Sequence, residues 1–120
     1  MRSSMPWFLS FESAGGYSMS AFLIADVSST DMDAYRESGY LEHVPQIAAR
    51  YGGAYRARGG QSKVLEGDWQ PKRLVIIEFP SFEQLLAFYD CEDYQPYKKI
   101  RQTLTESHLV ALAGLDRLPE

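Results

Sequence analysis

The sequence predicts an α+β fold in which a four-stranded antiparallel sheet carries helices on one face. The first observation is the order of the elements, since strand-like and helical patterns follow one another as strand, helix, strand, strand, helix, strand. The second is the glycine and proline turns that separate these patterns. The third is the length, because 120 residues suffice for one domain with its own core. This βαββαβ order is that of a ferredoxin-like sandwich.

The first half of the predicted domain contains a strand, a long helix and a second strand. The apolar run Ala21–Val27 is the first strand. The helix is expected to run to about Arg50, with a kink or break at Pro45, because proline removes an amide donor. Gly52-Gly53 would end this helix, since glycine adopts the left-handed conformation of a helix stop. Ala54–Arg58 is then the second strand.

The second half contains two strands and two helices. A turn-rich connection follows the second strand, and a short extra strand is expected at Lys63–Glu66. The third strand is predicted at Lys72–Phe79. Ser81 begins the second helix, Asp93–Ser107 forms the third, and His108–Leu115 is the fourth strand.

The strands carry apolar residues on both faces, although a sheet with one solvated face should alternate apolar and polar residues. One parity is assigned to the helices and comprises Leu23, Ala25, Val27, Tyr55, Ala57, Val75, Ile77 and Phe79. The opposite parity still holds Phe22, Ile24, Leu74 and Ile76. An exposed apolar patch of this kind usually marks a partner surface, so we expect a homodimer formed through the sheet faces.

The same outer parity is predicted to carry four charges, Asp26, Arg56, Arg58 and Glu78. Buried charges must be paired or hydrogen-bonded, or they cost several kcal/mol each. One interpretation is a salt-bridge cluster that fixes the register of the sheet or the geometry of the dimer. The other is a polar floor for a small anionic or carbonyl ligand, with Arg58 as a bidentate donor.

Composition excludes several classes of function. The net charge is −4 and the basic residues are scattered, so we expect no nucleic-acid partner. No apolar run approaches the roughly 18 residues of a membrane span, so no membrane association is expected. Cys91 is the only cysteine, which rules out an intrachain disulfide and fits a cytoplasmic location.

The N-terminal segment reads as a separate part of the chain. Residues 1–18 are predicted to be an extension outside the core, and residues 19–118 the folded domain. A disordered tail is the simpler interpretation of the extension. The alternative is an arm that docks on the same or a neighbouring subunit through Trp7, Phe8 and Phe11.

Further candidate residues are weaker. His43, on the predicted first helix, is a candidate general base, although a lone helix histidine is more often a surface or packing residue. Trp69 would offer a ligand a stacking surface, Arg56 a cation, and Tyr35 and Tyr94 phenol groups. The histidines and the single cysteine lack the spacing of a metal site, so we expect no metal and no cofactor.

Several short motifs resemble domain-of-unknown-function family 1330, which belongs to the dimeric α/β-barrel superfamily. The resemblance covers about residues 20 to 115 and rests on these motifs in this order: Ile24–Val27, Tyr51–Gly53, Arg58-Gly59-Gly60, Leu65–Trp69, Arg73–Ile76, Glu78–Ser81 and Tyr94-Gln95. It implies a ferredoxin-like subunit and a sheet-to-sheet dimer, but no assigned reaction. Relatives in the superfamily include cofactor-free monooxygenases, lactone isomerases and haem-handling enzymes.

Two functional hypotheses follow. The first is a cofactor-free, isomerase- or monooxygenase-like enzyme with a pocket between the first helix and the sheet. There Arg58 would orient a carboxylate or enolate, and Asp26, Glu78 or His43 would move protons. The second is a non-catalytic binding or stress-associated dimer in which the charge cluster is structural.

Overall fold

The structure is a computed structural model that describes residues 18–117, with side chains from residue 20 to residue 115. The predicted N-terminal extension and its docking arm lie outside these residues. The elements follow one another as β1 Ser18–Ser28, α1 Met32–Glu37, α2 Tyr40–Arg50, β2 Ala54–Arg58, β3 Leu74–Phe79, α3 Phe82–Asp90, a 3₁₀ turn Glu92–Tyr94, α4 Gln95–Leu104 and β4 Glu106–Arg117.

The four strands form one antiparallel sheet in the order β2-β3-β1-β4. This arrangement confirms the predicted ferredoxin-like fold. The central strand β1 pairs with both neighbours, so Ile24 lies between Ile76 of β3 and Val110 of β4. Because residues paired across antiparallel strands share a face, these three side chains lie on the same side of the sheet.

The core lies between the other face of the sheet and the helices. The predicted helix-facing residues of β1 and β3 are buried, with exposed fractions from 1% at Phe79 to 8% at Val75. Leu85 and Phe88 of α3 pack into the same core. The Phe79 and Phe88 rings stack with their centroids 5.4 Å apart. The period-two pattern of these strands therefore identified the buried face correctly.

The predicted long first helix is broken, but the prediction of a break at Pro45 was wrong. The chain divides at Gly39, whose φ of 88° lies in the left-handed region that favours glycine. The Ser38 hydroxyl donates to the Tyr35 carbonyl and accepts from the Tyr40 amide, which closes one helix and opens the next. Pro45 lies within α2, and the helix continues past it to Arg50.

Other element boundaries also differ from prediction. The expected strand at Lys63–Glu66 is absent from the described structure, where this exposed segment does not pair with the free edge of β2. β3 begins at Leu74. The backbone amides of Lys72 and Arg73 donate to the Asp26 carboxylate instead of to a neighbouring strand. The third helix ends at Leu104, where Thr105 has extended backbone angles, and β4 correspondingly begins at Glu106.

A β-bulge in β2 reverses part of the predicted parity. Tyr55 pairs with Ile77, but Ala57 pairs with Ile76, so two residues of β2 oppose one residue of β3. From that point Ala57 lies on the open face, and Arg58, paired with Val75, lies on the helix face. The sequence-based assignment of both residues was therefore wrong, because a strict alternation has no place for the extra residue.

Candidate functional site

A small cavity lies between the helices and the helix-facing side of the sheet. Its apolar wall includes Leu23, Val44, Val75 and Phe88. About 40 Å³ of it is open to the centres of water molecules. A single water requires about 10–15 Å³ on this measure, so the cavity has room for about three waters or one small organic group.

Three arginines from different parts of the chain line this cavity. Arg58 follows the bulge of β2, Arg73 immediately precedes β3, and Arg101 lies in α4. Arg58 is exposed, Arg73 is half-buried, and Arg101 is only 3% exposed. The cavity therefore runs from a solvated rim into the interior with a guanidinium at each level.

These arginines have no carboxylate partner among the described side chains. The ion pairs found there are Arg36–Asp33, Arg50–Asp93 and Arg56–Glu78, none of which involves the cavity. Of the described residues that line the cavity, none is aspartate or glutamate. The site is consequently a cationic pocket inside an apolar wall, a setting in which charges interact more strongly than in water.

Four tyrosines complete the wall of the cavity. Arg58 lies over the ring of Tyr55, with its Cζ atom 5.1 Å from the ring centroid. Tyr35 stacks on Tyr40 at 5.1 Å. The Tyr40 and Tyr94 hydroxyls are 2.8 Å apart, and Arg101 Nε donates to the Tyr94 hydroxyl at 3.3 Å.

Burial keeps three of these phenols, Tyr35, Tyr40 and Tyr55, protonated. Burial raises the pKa of Tyr55 to about 12 against the opposing charge of Arg58. Burial also raises the pKa of Tyr35, while the charges of Arg101 and Arg73 act in the opposite direction. Burial and then the neighbouring Tyr94 raise the pKa of Tyr40. At neutral pH the cavity therefore offers phenol hydroxyls as hydrogen-bond donors and no ready general base.

The residues predicted to share a site with Arg58 lie elsewhere. On the open face of the sheet, Arg56 Nε contacts Glu78 Oε1 at 3.0 Å, and the Ser20 hydroxyl donates to Glu78 Oε2 at 2.7 Å. Asp26 holds two backbone amides of the β2–β3 connection. The predicted four-charge cluster is thus reduced to one ion pair, since Arg58 is on the other side of the sheet.

Two further candidates are also remote from the cavity. Trp69 is 62% exposed and borders a polar depression that includes Asp26 and His108. His43 is exposed on α2, where its ring stacks on Tyr97 at 5.7 Å and its Nδ1 contacts the Gly39 carbonyl. Of the sequence-predicted site residues, the structure brings together Arg58, Tyr35 and Tyr94.

Sequence reasoning missed Arg73, Arg101, Tyr40 and Tyr55 as cavity residues. A signal for Arg101 was present, because it falls at helical spacing from Tyr97 and Leu104 and so lies on the inward stripe of α4. A signal for Arg73 was also present, because it precedes Val75 by two residues and so shares the helix-facing parity of the third strand.

The fold and the cavity together define a ferredoxin-like α+β subunit with a cationic and aromatic pocket between helices and sheet. The chain belongs to the family described as domain of unknown function DUF1330, which matches residues 20–115. The resemblance found in the sequence motifs is thereby confirmed. No curated protein matches the sequence.

Solved structures of similar fold come from several bacteria. The RPA0582 protein of unknown function from Rhodopseudomonas palustris is 19% identical, with a TM-score of 0.61 over 92% of this chain and 93% of that one. A conserved protein of unknown function from Bacteroides thetaiotaomicron, described as a possible oxidoreductase, is 15% identical, with a TM-score of 0.51 over 80% and 97%. SnoaB, a cofactor-independent oxygenase from Streptomyces nogalater, is 12% identical, with a TM-score of 0.51 over 86% and 99%.

These identities establish a shared fold and carry no residue roles. Within residues 18–117, no helix has the length and apolar character needed to cross a membrane.

Proposed function

We propose that this protein is a cytoplasmic homodimer that binds a small carboxylate or carbonyl compound in the cavity and converts it without a cofactor. The observation that carries the proposal is the convergence of Arg58, Arg73 and Arg101 on one apolar cavity whose described lining contains no carboxylate. An anion entering this space would accept charge-assisted hydrogen bonds from the arginines, which have no carboxylate acceptor in the described lining. The cytoplasmic location is supported by the single cysteine.

The donors around the cavity suit an anionic ligand and limit the chemistry. Positive charges at close range favour the ionised form of a carboxylic acid, an enol or a phenol. Protonated tyrosines would donate hydrogen bonds to the resulting oxyanion. Since no carboxylate lines the described cavity, the substrate would pass its proton to water, which requires an acidic substrate such as an activated carbonyl compound.

The related fold makes two reaction classes reasonable candidates. An enolate held by arginines can be reprotonated elsewhere, which is an isomerisation, or can react with dioxygen. SnoaB, a cofactor-independent oxygenase, is an example of the second class on a similar fold. This is an analogy of fold alone.

Binding and turnover can be tested directly. Purified protein would be titrated with small carboxylates and with the corresponding amides, and binding followed by calorimetry and thermal shift. We expect the carboxylates to bind and the amides to bind far more weakly. Arg58→Gln should reduce the affinity of carboxylates long enough to reach Arg58 about tenfold. Arg36→Gln, which removes an exposed arginine paired with Asp33, is the matched control. Equal binding of acids and amides would refute the proposal.

Turnover would be assayed with enolisable β-dicarbonyl compounds. Deuterium exchange measured by NMR would detect enolate formation, and an oxygen electrode would detect oxygenation. Ligand binding without exchange or oxygen uptake would support a binding protein over an enzyme.

The proposed homodimer rests on the open face of the sheet. Phe22 and Ile24 of β1 share this face with Ile76 of β3 and with Val110 and Leu112 of β4. Val110 and Leu112 are 59% and 52% exposed in the single subunit. A contiguous apolar surface of this kind favours association with a second copy, in which each sheet covers the other.

Light scattering coupled to size-exclusion chromatography would give the mass in solution. We expect a dimer, and we expect Val110→Asp to convert it to a monomer by placing a charge in the interface. Leu86→Asp is the control, since Leu86 is a similarly exposed residue of α3, on the opposite side of the sheet. A wild-type monomer at micromolar concentration would contradict the dimer.

A non-catalytic dimer is the second candidate function, and the Arg56–Glu78–Ser20 contacts on the open face favour it. In that case these polar contacts on the open face would help to fix the geometry of the dimer. Arg56→Gln would weaken dimerisation, and no carboxylate or carbonyl compound would bind in the cavity.

A further inference from the structure

Arg101 is the most deeply placed charge in the cavity. It is the one charged residue that is buried among the described side chains, with 3% exposure. Its Nε donates to the Tyr94 hydroxyl at 3.3 Å, and its Nη1 donates to the Ser107 hydroxyl at 2.6 Å. Its Nη2 is buried and has no hydrogen-bond partner within the described part of the chain. The Tyr40 hydroxyl also interacts with this guanidinium, so Arg101 is held by neutral groups alone.

This arrangement is costly for a residue that only stabilises the fold. A buried guanidinium that lacks a carboxylate loses hydration without gaining an ion pair. An aliphatic residue at this position of α4 would pack in the same place at no such cost. Two of the guanidinium nitrogens are bonded to Tyr94 and Ser107, which fixes the plane of the group and leaves Nη2 without an acceptor among the described residues.

The tyrosine pair beside Arg101 supplies a second donor. The Tyr40 and Tyr94 hydroxyls form one hydrogen bond with each other at 2.8 Å. That bond uses one of the two phenol protons, whichever hydroxyl donates. The other proton remains to be donated, and both tyrosines line the cavity. The Arg101 guanidinium and the phenol pair thus lie side by side in the lining of the cavity.

We propose that the inner end of the cavity is a site for the planar oxyanion head of the ligand, a carboxylate or an enolate, bound by Arg101 Nη2 and the Tyr40–Tyr94 hydroxyl pair. The proposal rests on the proposed ligand-binding function and assigns the orientation of the ligand. The cavity volume of about 40 Å³ fits a group of acetate size. The cavity has space for little more than this head group, so the remainder of a longer ligand would pass Arg73 and the exposed Arg58 into solvent.

The first experiment uses acetate as the probe. Wild-type protein with nitrogen-15 arginine would be titrated with sodium acetate, against sodium chloride at equal ionic strength, while the arginine side-chain signals are followed by NMR. We expect saturable shifts of the Arg101 signals and none for Arg36, which is exposed and paired with Asp33. Acetate binding that leaves the Arg101 signals unmoved would overturn this assignment. The assignment would also be overturned if acetate shifted neither the Arg101 nor the Arg36 signals, because the cavity would then admit only water.

The second experiment compares two variants. Arg101→Lys keeps the charge but loses the planar fork, and we expect it to reduce acetate affinity about tenfold or more. Arg58→Gln, at the rim, should affect acetate less than threefold while weakening longer carboxylates. The reverse ranking would leave the proposed function standing and refute the role of Arg101. If longer carboxylates also fail to bind, the proposed function fails as well. Should Arg101→Lys not fold, the wild-type titration decides the question.

Discussion

Removing one hydroxyl, in Tyr94→Phe, tests whether the inner end of the cavity is a buried polar network. Tyr94 is 1% exposed, and its ring packs on Phe88 with a centroid distance of 4.7 Å. Phenylalanine would keep that packing. The substitution would remove the 2.8 Å contact with Tyr40 and the 3.3 Å contact with Arg101 Nε.

The expected cost follows from those two contacts. A neutral hydrogen bond contributes about 1 kcal/mol, and one from a charged donor about 1.5 kcal/mol or more. Tyr40 and Arg101 would each be left with an unsatisfied group in a dry environment. We therefore expect Tyr94→Phe to lower the free energy of unfolding by about 2–3 kcal/mol. For a domain of about 100 residues this corresponds to a fall in Tm of roughly 10–15 °C.

The assay is urea denaturation followed by circular dichroism, with all proteins at one protomer concentration because association adds to stability. Tyr97→Phe is the control, since the Tyr97 hydroxyl has no hydrogen bond within the described residues, and it should stay within about 0.5 kcal/mol of wild type. If Tyr94→Phe were as stable as wild type with an unchanged m-value, the two hydrogen bonds would contribute nothing to the free energy of unfolding. Water would then replace the lost partners of Tyr40 and Arg101.

Three further predictions concern the packing and titration of the subunit. Gly53→Ala should cost about 1–3 kcal/mol in urea denaturation, since a Cβ there would lie 2.7 Å from the Phe79 ring, whereas Gly60→Ala, with nothing within 4 Å, should be nearly neutral. The folded-state pKa of Tyr55 is raised to about 12, so its contribution is complete below pH 10 and is lost as pH rises through 12. Alkaline unfolding, followed by tyrosine absorbance, should therefore be less steep in Tyr55→Phe, and identical profiles would contradict burial of this phenol. Ser81→Ala should cost about 1 kcal/mol, because the Ser81 hydroxyl caps α3, and a change in Tm below 1 °C would contradict that role.

Much of the fold was predictable from sequence because it depends on local patterns. The period-two alternation from Leu23 to Val27 identifies the buried face of β1, which the structure confirms. The Gly52-Gly53 helix stop and the helix start at Ser81 were predicted correctly, because each depends on a local conformation or on one nearby hydroxyl contact. The break was predicted at Pro45 but lies at Gly39, where the positive φ and the Ser38 hydroxyl contacts end one helix and begin the next.

The cavity was much less predictable, because its residues are distant in sequence. Arg58, Arg73 and Arg101 come from β2, the start of β3 and α4, and only packing brings them together. The motif resemblance correctly indicated the fold and the family, but it provided no residue roles. Tyr40 and Tyr94, 54 residues apart, meet through the packing of α2 against the turn before α4.

The sequence by itself determined the element order, the sheet, its buried face and the family, because hydrophobic periodicity and turn residues act over a few positions. The tertiary structure alone decided which side of the sheet Arg58 occupies and which groups surround it. The physical reason is the bulge at Arg56 and Ala57: one extra residue, detectable only when β2 is paired with β3, turns every later side chain of β2 to the other face.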